Sequence, residues 1–235
     1  MAHVWQIPLV LEEPAVQRCR QALSSDEIQR ADRFHFARDR VRFVAAHAAM
    51  REILAGYVNS APQDLTFVTG DRGKPALASG WKGFQVEFNL SHSGDFAVLA
   101  IAKSMVLGVD IERIKPEFAS EQIAERFFAP SEVDHLRSLP PAAQAEAFFS
   151  CWTRKEAYIK AVGEGLSIPL DSFAVAFGPG ASPRLLHVDA QLDEISRWSM
   201  YDLQAPGGYK AALVIEGQGH HVLQKPWKAG CVSRG

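Results

Sequence analysis

The stretch GVDIE, residues 108 to 112, sets two acids, Asp110 and Glu112, one residue apart inside an apolar run. A strand entering a buried sheet normally excludes such a pair, because an ionised carboxylate taken from water without a partner is costly or takes up a proton. Side chains alternate along a strand, so Asp110 and Glu112 share one face while Val109 and Ile111 share the other and can pack. The pattern describes a two-carboxylate claw on one side of a buried strand. Taken alone, the same pair also suits a solvated strand edge or two salt-bridge partners.

Just upstream, QVEFNLSHSGDFAVLAIA (85–102) reads as two strands broken at SHSGD, and VLGVDIE (106–112) as a third. Three successive strands imply a sheet with antiparallel pairing. Before them, TFVTGDRGKPAL (66–77) is a strand end running into a Gly-Asp-Arg-Gly-Lys-Pro turn that exposes Arg72 and Lys74. Earlier still, HVWQIPLVL (3–11) reads as a first strand, and Ser24 with Glu27 three residues on forms the capping-box signature of a helix. Within ARDRVRFVAAHAAMREILAGYV (37–58) the apolar residues have the period of a long core-packed helix that ends near Gly56.

Beyond the acids, KPEFASEQIAERFFAPSEVDHL (115–136) suggests a loop and short helices. PPAAQAEAFFSCWTRKEAYIKAVGEGL (140–166) is a strong helix that starts after two prolines and ends at Gly163 or Gly165. Trp152, Glu156 and Lys160 recur every four residues and lie on one face of it. DSFAVAF (171–177) through YKAALVIEG (209–217) reads as further strands joined by Pro/Gly turns.

With 235 residues, 47% of them hydrophobic and 22% charged, the chain has the make-up of a soluble globular protein. A formal net charge of -2 gives no global field toward nucleic acid or an anionic membrane, so any basic site is local. Cys19, Cys151 and Cys231 stand far apart, with no zinc or redox spacing and an odd count for a disulfide framework, which points to a reducing compartment. The first residues lack a basic n-region and a cleavage site, and no run approaches about 18 uninterrupted apolar residues. A cytoplasmic protein with no membrane and no nucleic-acid role is expected.

GKP (73–75), FNLSHSGD (88–95), GVDIE (108–112) and FFSCWTRKEAYIKAVGEGL (148–166), in this order, resemble the 4'-phosphopantetheinyl transferases of the surfactin-synthetase-activating type. Each piece is weak alone, and the four together are specific. The resemblance implies an α+β fold: a pseudo-twofold monomer of two similar halves, residues 1–105 and 106–235, with the second carrying the metal acids. It implies transfer of phosphopantetheine from coenzyme A to a serine of an apo acyl or peptidyl carrier protein, releasing 3',5'-ADP, with Mg2+, or Mn2+ in its place, as cofactor.

On that resemblance, Asp110, Glu112 and Glu156 hold the cation, a hard ion that favours carboxylate oxygens. Glu156 accepts the serine proton, Lys160 stabilises phosphate charge, and Ser91 and His92 contact the phosphates. Lys74 of the GKP turn, beside Gly73, grips the 3'-phosphate and adenine end of coenzyme A with Arg42 and Arg72; Arg30 and Arg33 offer further charge. The segment with Arg113, Lys115, Phe118, Phe127 and Phe128 is the expected carrier surface. A non-catalytic coenzyme A or carrier-binding module, or a metal-dependent pyrophosphate hydrolase, is the alternative; the retained acids and Lys160 argue against the module.

Overall fold

The computed structural model describes residues 1–70, 73–119, 121–163, 168–189 and 193–229. One element order runs through the chain twice. The first pass is β1 (Ala2–Pro8), α1 (Glu13–Arg20), α2 (Ser25–Asp32), α3 (Ala37–Val58), the short hairpin β2 (Phe67–Thr69) and β3 (Pro75–Leu77), then β4 (Val86–Ser93) and β5 (Phe96–Lys103). The second is β6 (Leu107–Arg113), α4 (Glu121–Phe127), α5 (Pro130–Ser138), α6 (Pro141–Val162), the hairpin β7 (Phe173–Val175) and β8 (Leu185–Val188), a short α7 (Glu194–Arg197), then β9 (Trp198–Asp202) and β10 (Tyr209–Glu216). A last strand, β11 (Val222–Pro226), returns to the first half and pairs parallel with β1.

The repetition extends to single side chains. In the first half Glu27 at the start of α2 receives Arg51 Nε of α3 at 2.5 Å, and Arg51 Nη1 donates to the carbonyls of Pro62 and Leu65 at 2.8 and 3.0 Å. In the second half Glu132 at the start of α5 receives Lys155 Nζ of α6 at 2.5 Å, and Lys155 also donates to Phe173 O at 2.6 Å. Each long helix is thus pinned by a buried cation to the first turn of its neighbour and to the chain beyond it. Such ions tolerate burial because each meets a carboxylate and at least one backbone carbonyl.

Besides the two hairpins, the described strands form two larger sheets, ordered β11-β1-β5-β4 and β6-β10-β9. β6 therefore does not extend the β4–β5 sheet, as three successive strands suggested; it ladders antiparallel with β10. Alternation explains the separation. Ala2, Val4, Val98 and Ala100 of the first sheet meet Leu107, Val109, Ile111 and Leu213 of the second in one apolar layer. The opposite faces of β5 and β10, through Leu99 and Val214, cover the helices of their own halves. The sheets stack face to face, and the helices lie outside.

Candidate active site

With Val109 and Ile111 committed to the layer between the sheets, Gly108, Asp110 and Glu112 face α6. Gly108 lets the two backbones nearly touch: a Cβ there would stand 2.2 Å from Ala157 O and 2.3 Å from Ala161 N. That approach brings Lys160 onto the acids. Lys160 Nζ is 2.6 Å from Asp110 Oδ1, which also accepts from Ser91 Oγ at 2.8 Å. Among the described residues Asp110 Oδ2 is buried with no hydrogen-bond partner. Glu112 Oε2 accepts from Ser93 Oγ at 2.6 Å.

Glu156, one helical turn before Lys160, is half-buried. Its carboxyl is pushed above the ordinary value by burial and by the Asp110 charge; Lys160 opposes the rise and Glu112 adds to it. Burial also raises Glu112, against the Ser93 hydrogen bond and with a push from Asp110. The three carboxyls therefore sense one another from β6 and α6, while among the described residues no three acid, His or Cys groups already stand in a metal-holding arrangement.

The remaining sequence-derived residues divide into two groups. His92 and Arg42 line a cleft of ≈ 510 Å3 between α3 and β4, together with Arg30, whose guanidinium lies 5.2 Å over the Phe43 ring. Arg42 Nη2 holds Asp95 Oδ1 at 2.5 Å. His92 titrates below its ordinary value through burial, then the charges of Lys160, His47 and Arg42. Arg33 is exposed, and Arg72 lies outside the described residues.

Lys74 is placed differently from that cleft. Its Nζ donates to Leu107 O at 2.8 Å and Lys160 O at 3.2 Å, tying the hairpin to the start of β6 and the end of α6, and burial lowers its pKa. Gly73, at φ +85, makes the turn that presents it.

A second, smaller cleft of ≈ 230 Å3 opens from Glu112 and is lined by Arg113, Lys115, Phe118, Phe149 and Trp152. Phe118 is 42% exposed although its ring meets Phe148, Phe149 and Trp152. Phe128, by contrast, is 2% exposed and packs on Phe148, so it belongs to the core and not to a carrier surface. Phe127 is half-buried against Trp152.

Sequence reasoning passed over Asn89 and Ser93. The signal was present: 89, 91 and 93 are alternate polar positions of an apolar strand and share one face.

The two passes of the fold coincide with two family descriptions. Residues 12–104 match "4'-phosphopantetheinyl transferase, N-terminal" and residues 106–214 match "4'-phosphopantetheinyl transferase superfamily". Over 217 residues the chain is 38% identical to the 4'-phosphopantetheinyl transferase HetI of Nostoc sp., covering 92% of this chain and 88% of that one. It is 31% identical to the 4'-phosphopantetheinyl transferase Sfp of Bacillus subtilis over 211 residues, 88% of this chain and 87% of that one. A holo-(acyl-carrier-protein) synthase from Bacillus anthracis, solved in complex with CoA, aligns with 48% of this chain and 98% of its own at 21% identity and TM-score 0.39. Identity of this extent, running through both halves and across the strand and helix that bear the acids, leaves one conclusion: the chain belongs to the 4'-phosphopantetheinyl transferase superfamily.

Proposed function

We propose that the protein moves the 4'-phosphopantetheine group of coenzyme A onto a serine hydroxyl of an apo acyl or peptidyl carrier protein, as a Mg2+-dependent monomer. The observation that carries this reading is the meeting of Asp110 and Glu112 on β6 with Glu156 and Lys160 on α6, between a basic cleft and an aromatic one. The serine oxygen attacks the phosphorus bearing pantetheine, the bond from that phosphorus to the bridging oxygen breaks, and 3',5'-ADP leaves.

The acids fit a hard divalent cation. Asp110 Oδ2 is a buried oxygen without a partner, and three carboxyls repel one another unless a cation or proton compensates them. Asp110, Glu112 and Glu156 would hold Mg2+, which when bound neutralises pyrophosphate charge. The chain's own groups do the rest. Glu156, raised by burial, takes the serine proton directly or through a water. Lys160, with its side chain 29% exposed, reaches from Asp110 toward phosphate oxygens. Ser91 and His92 contact the phosphates, and Arg42 with Arg30 faces the 3'-phosphate and adenine end in the ≈ 510 Å3 cleft. Lys74 keeps an N–H for a phosphate beyond its two backbone bonds.

Incubation with coenzyme A, Mg2+ and an apo-carrier tests the proposal by mass spectrometry. A carrier gaining one phosphopantetheine, with matching 3',5'-ADP, is expected; an unmodified carrier across acyl and peptidyl types would refute it.

A further inference from the structure

β4 and β6 belong to different sheets and share no backbone ladder, yet they run side by side next to the acids. Side chains supply the rungs. Asn89 Oδ1 accepts the Val109 N–H at 2.8 Å, Ser91 Oγ donates to Asp110 Oδ1 at 2.8 Å, and Ser93 Oγ donates to Glu112 Oε2 at 2.6 Å. Ser93 Oγ also accepts the Arg113 N–H at 3.1 Å. Alternate residues of β4 from Asn89 to Ser93 thus grip β6 at the segment that bears the carboxyls.

From this ladder we infer that Ser93 is a positioning residue for the cation site, holding the Glu112 carboxylate in the orientation in which its other oxygen meets a divalent ion. The inference rests on the reading above that Asp110 and Glu112 hold a cation. A serine hydroxyl has one proton and two lone pairs. The Arg113 N–H occupies a lone pair, which turns the single O–H toward Glu112 Oε2 and leaves Oε1 for the ion. Without that bond a glutamate with three rotatable bonds would lose rotamer freedom on capturing the ion, and affinity would fall. Residues that orient ligating carboxylates in this way commonly matter to metal affinity almost as much as the ligands.

The test is Mn2+ titration of the free protein, without coenzyme A, followed by electron paramagnetic resonance, beside thermal unfolding. Ser93→Ala should bind Mn2+ roughly tenfold more weakly, with Ser93→Thr recovering most of the loss and Asp110→Ala losing binding. Ser93→Cys, nearly isosteric but a weak donor, should resemble Ala and serves if Ala does not fold. Wild-type Mn2+ affinity in Ser93→Ala or Ser93→Cys, with binding lost in Asp110→Ala, would overturn the role of Ser93 alone. So would a Ser93→Thr protein as weak as Ser93→Ala. Mn2+ binding unaffected by Asp110→Ala, or absent from the wild-type protein, would remove the cation reading and this inference with it.

Discussion

Lys160 Nζ lies 2.6 Å from Asp110 Oδ1, so the acid read from the sequence as a cation ligand already carries a cation of the protein's own. The side chain of Asp110 is 3% exposed and that of Lys160 29%. The carboxylate is therefore shielded while the ammonium keeps a path to solvent. A charge pair of this kind compensates the buried acid without sealing the site.

Asp110→Ala should abolish transfer and lower stability moderately. Clustered carboxyls repel one another, so deleting one by itself would relieve charge. In the structure the same deletion takes an acceptor from both Ser91 and Lys160. Unpaired polar groups cost about 1–3 kcal/mol, or roughly 2–12 °C in Tm at this size. Circular dichroism melts and a transfer assay check it; an active Asp110→Ala enzyme would overturn the site.

Glu156→Gln should keep most coenzyme A affinity and lower the transfer rate by roughly 100-fold or more, the usual scale of a lost general base. Gln preserves size and hydrogen bonding but takes no proton at this position. Calorimetric binding beside turnover separates the two effects. Equal losses in both would make Glu156 a ligand and not the base.

Lys74→Ala should act twice. It leaves the carbonyls of Leu107 and Lys160 without their donor, so Tm falls. It should also weaken coenzyme A more than dephospho-coenzyme A if the remaining Lys74 N–H, and not the Arg42 cleft alone, meets the 3'-phosphate. Equal weakening of the two ligands would leave Lys74 as a clamp between β6 and α6 alone.

Glu27 predicts the acid limb of stability. Burial alone would raise its carboxyl, but hydrogen bonds from His47 and the Ser24 amide and the charges of His47 and Arg51 hold it down from 4.5 to about 2. A depressed folded pKa contributes stability that is fully present above the unfolded value and is lost as pH falls through the folded one. Wild-type stability should decline from about pH 4.5 toward 2, and Glu27→Gln should be less stable at neutral pH with a flatter decline. Chemical denaturation across that range decides; parallel curves would show that Glu27 does not govern it.

Replacing Lys115 and Phe118 together should raise KM for the carrier while leaving that for coenzyme A near its original value. Phe118 is an exposed ring beside a cleft that begins at Glu112, and Lys115 gives local attraction to an acidic partner that a net charge of -2 cannot. Steady-state kinetics with each substrate varied will tell. If both constants move, or neither, the carrier docks elsewhere.

The local features were legible because they depend on spacing. Alternation put Asp110 and Glu112 on one face, a period of four aligned Glu156 with Lys160, and the helix read as ending near Gly56 runs two residues further, Ala37–Val58. The Ser24–Glu27 capping box was equally readable, since a hydroxyl and a carboxylate three apart satisfy each other locally. Its counterpart was not: Glu132 receives the Ala129 N–H, but alanine has no oxygen to complete the signature. What needed the tertiary structure were the long-range pairings. Neighbouring strands in sequence favoured one sheet, whereas the apolar faces of β5 and β6 are each satisfied only by stacking two sheets, which sends β6 to β10 and β11 back to β1. Gly108 reads as a simple strand glycine until Ala157 and Ala161 come within contact, and only that approach sets Lys160 on Asp110. Sequence spacing specifies which side chains share a face; the packing of those faces, where distant residues exclude water together, decides which of them meet.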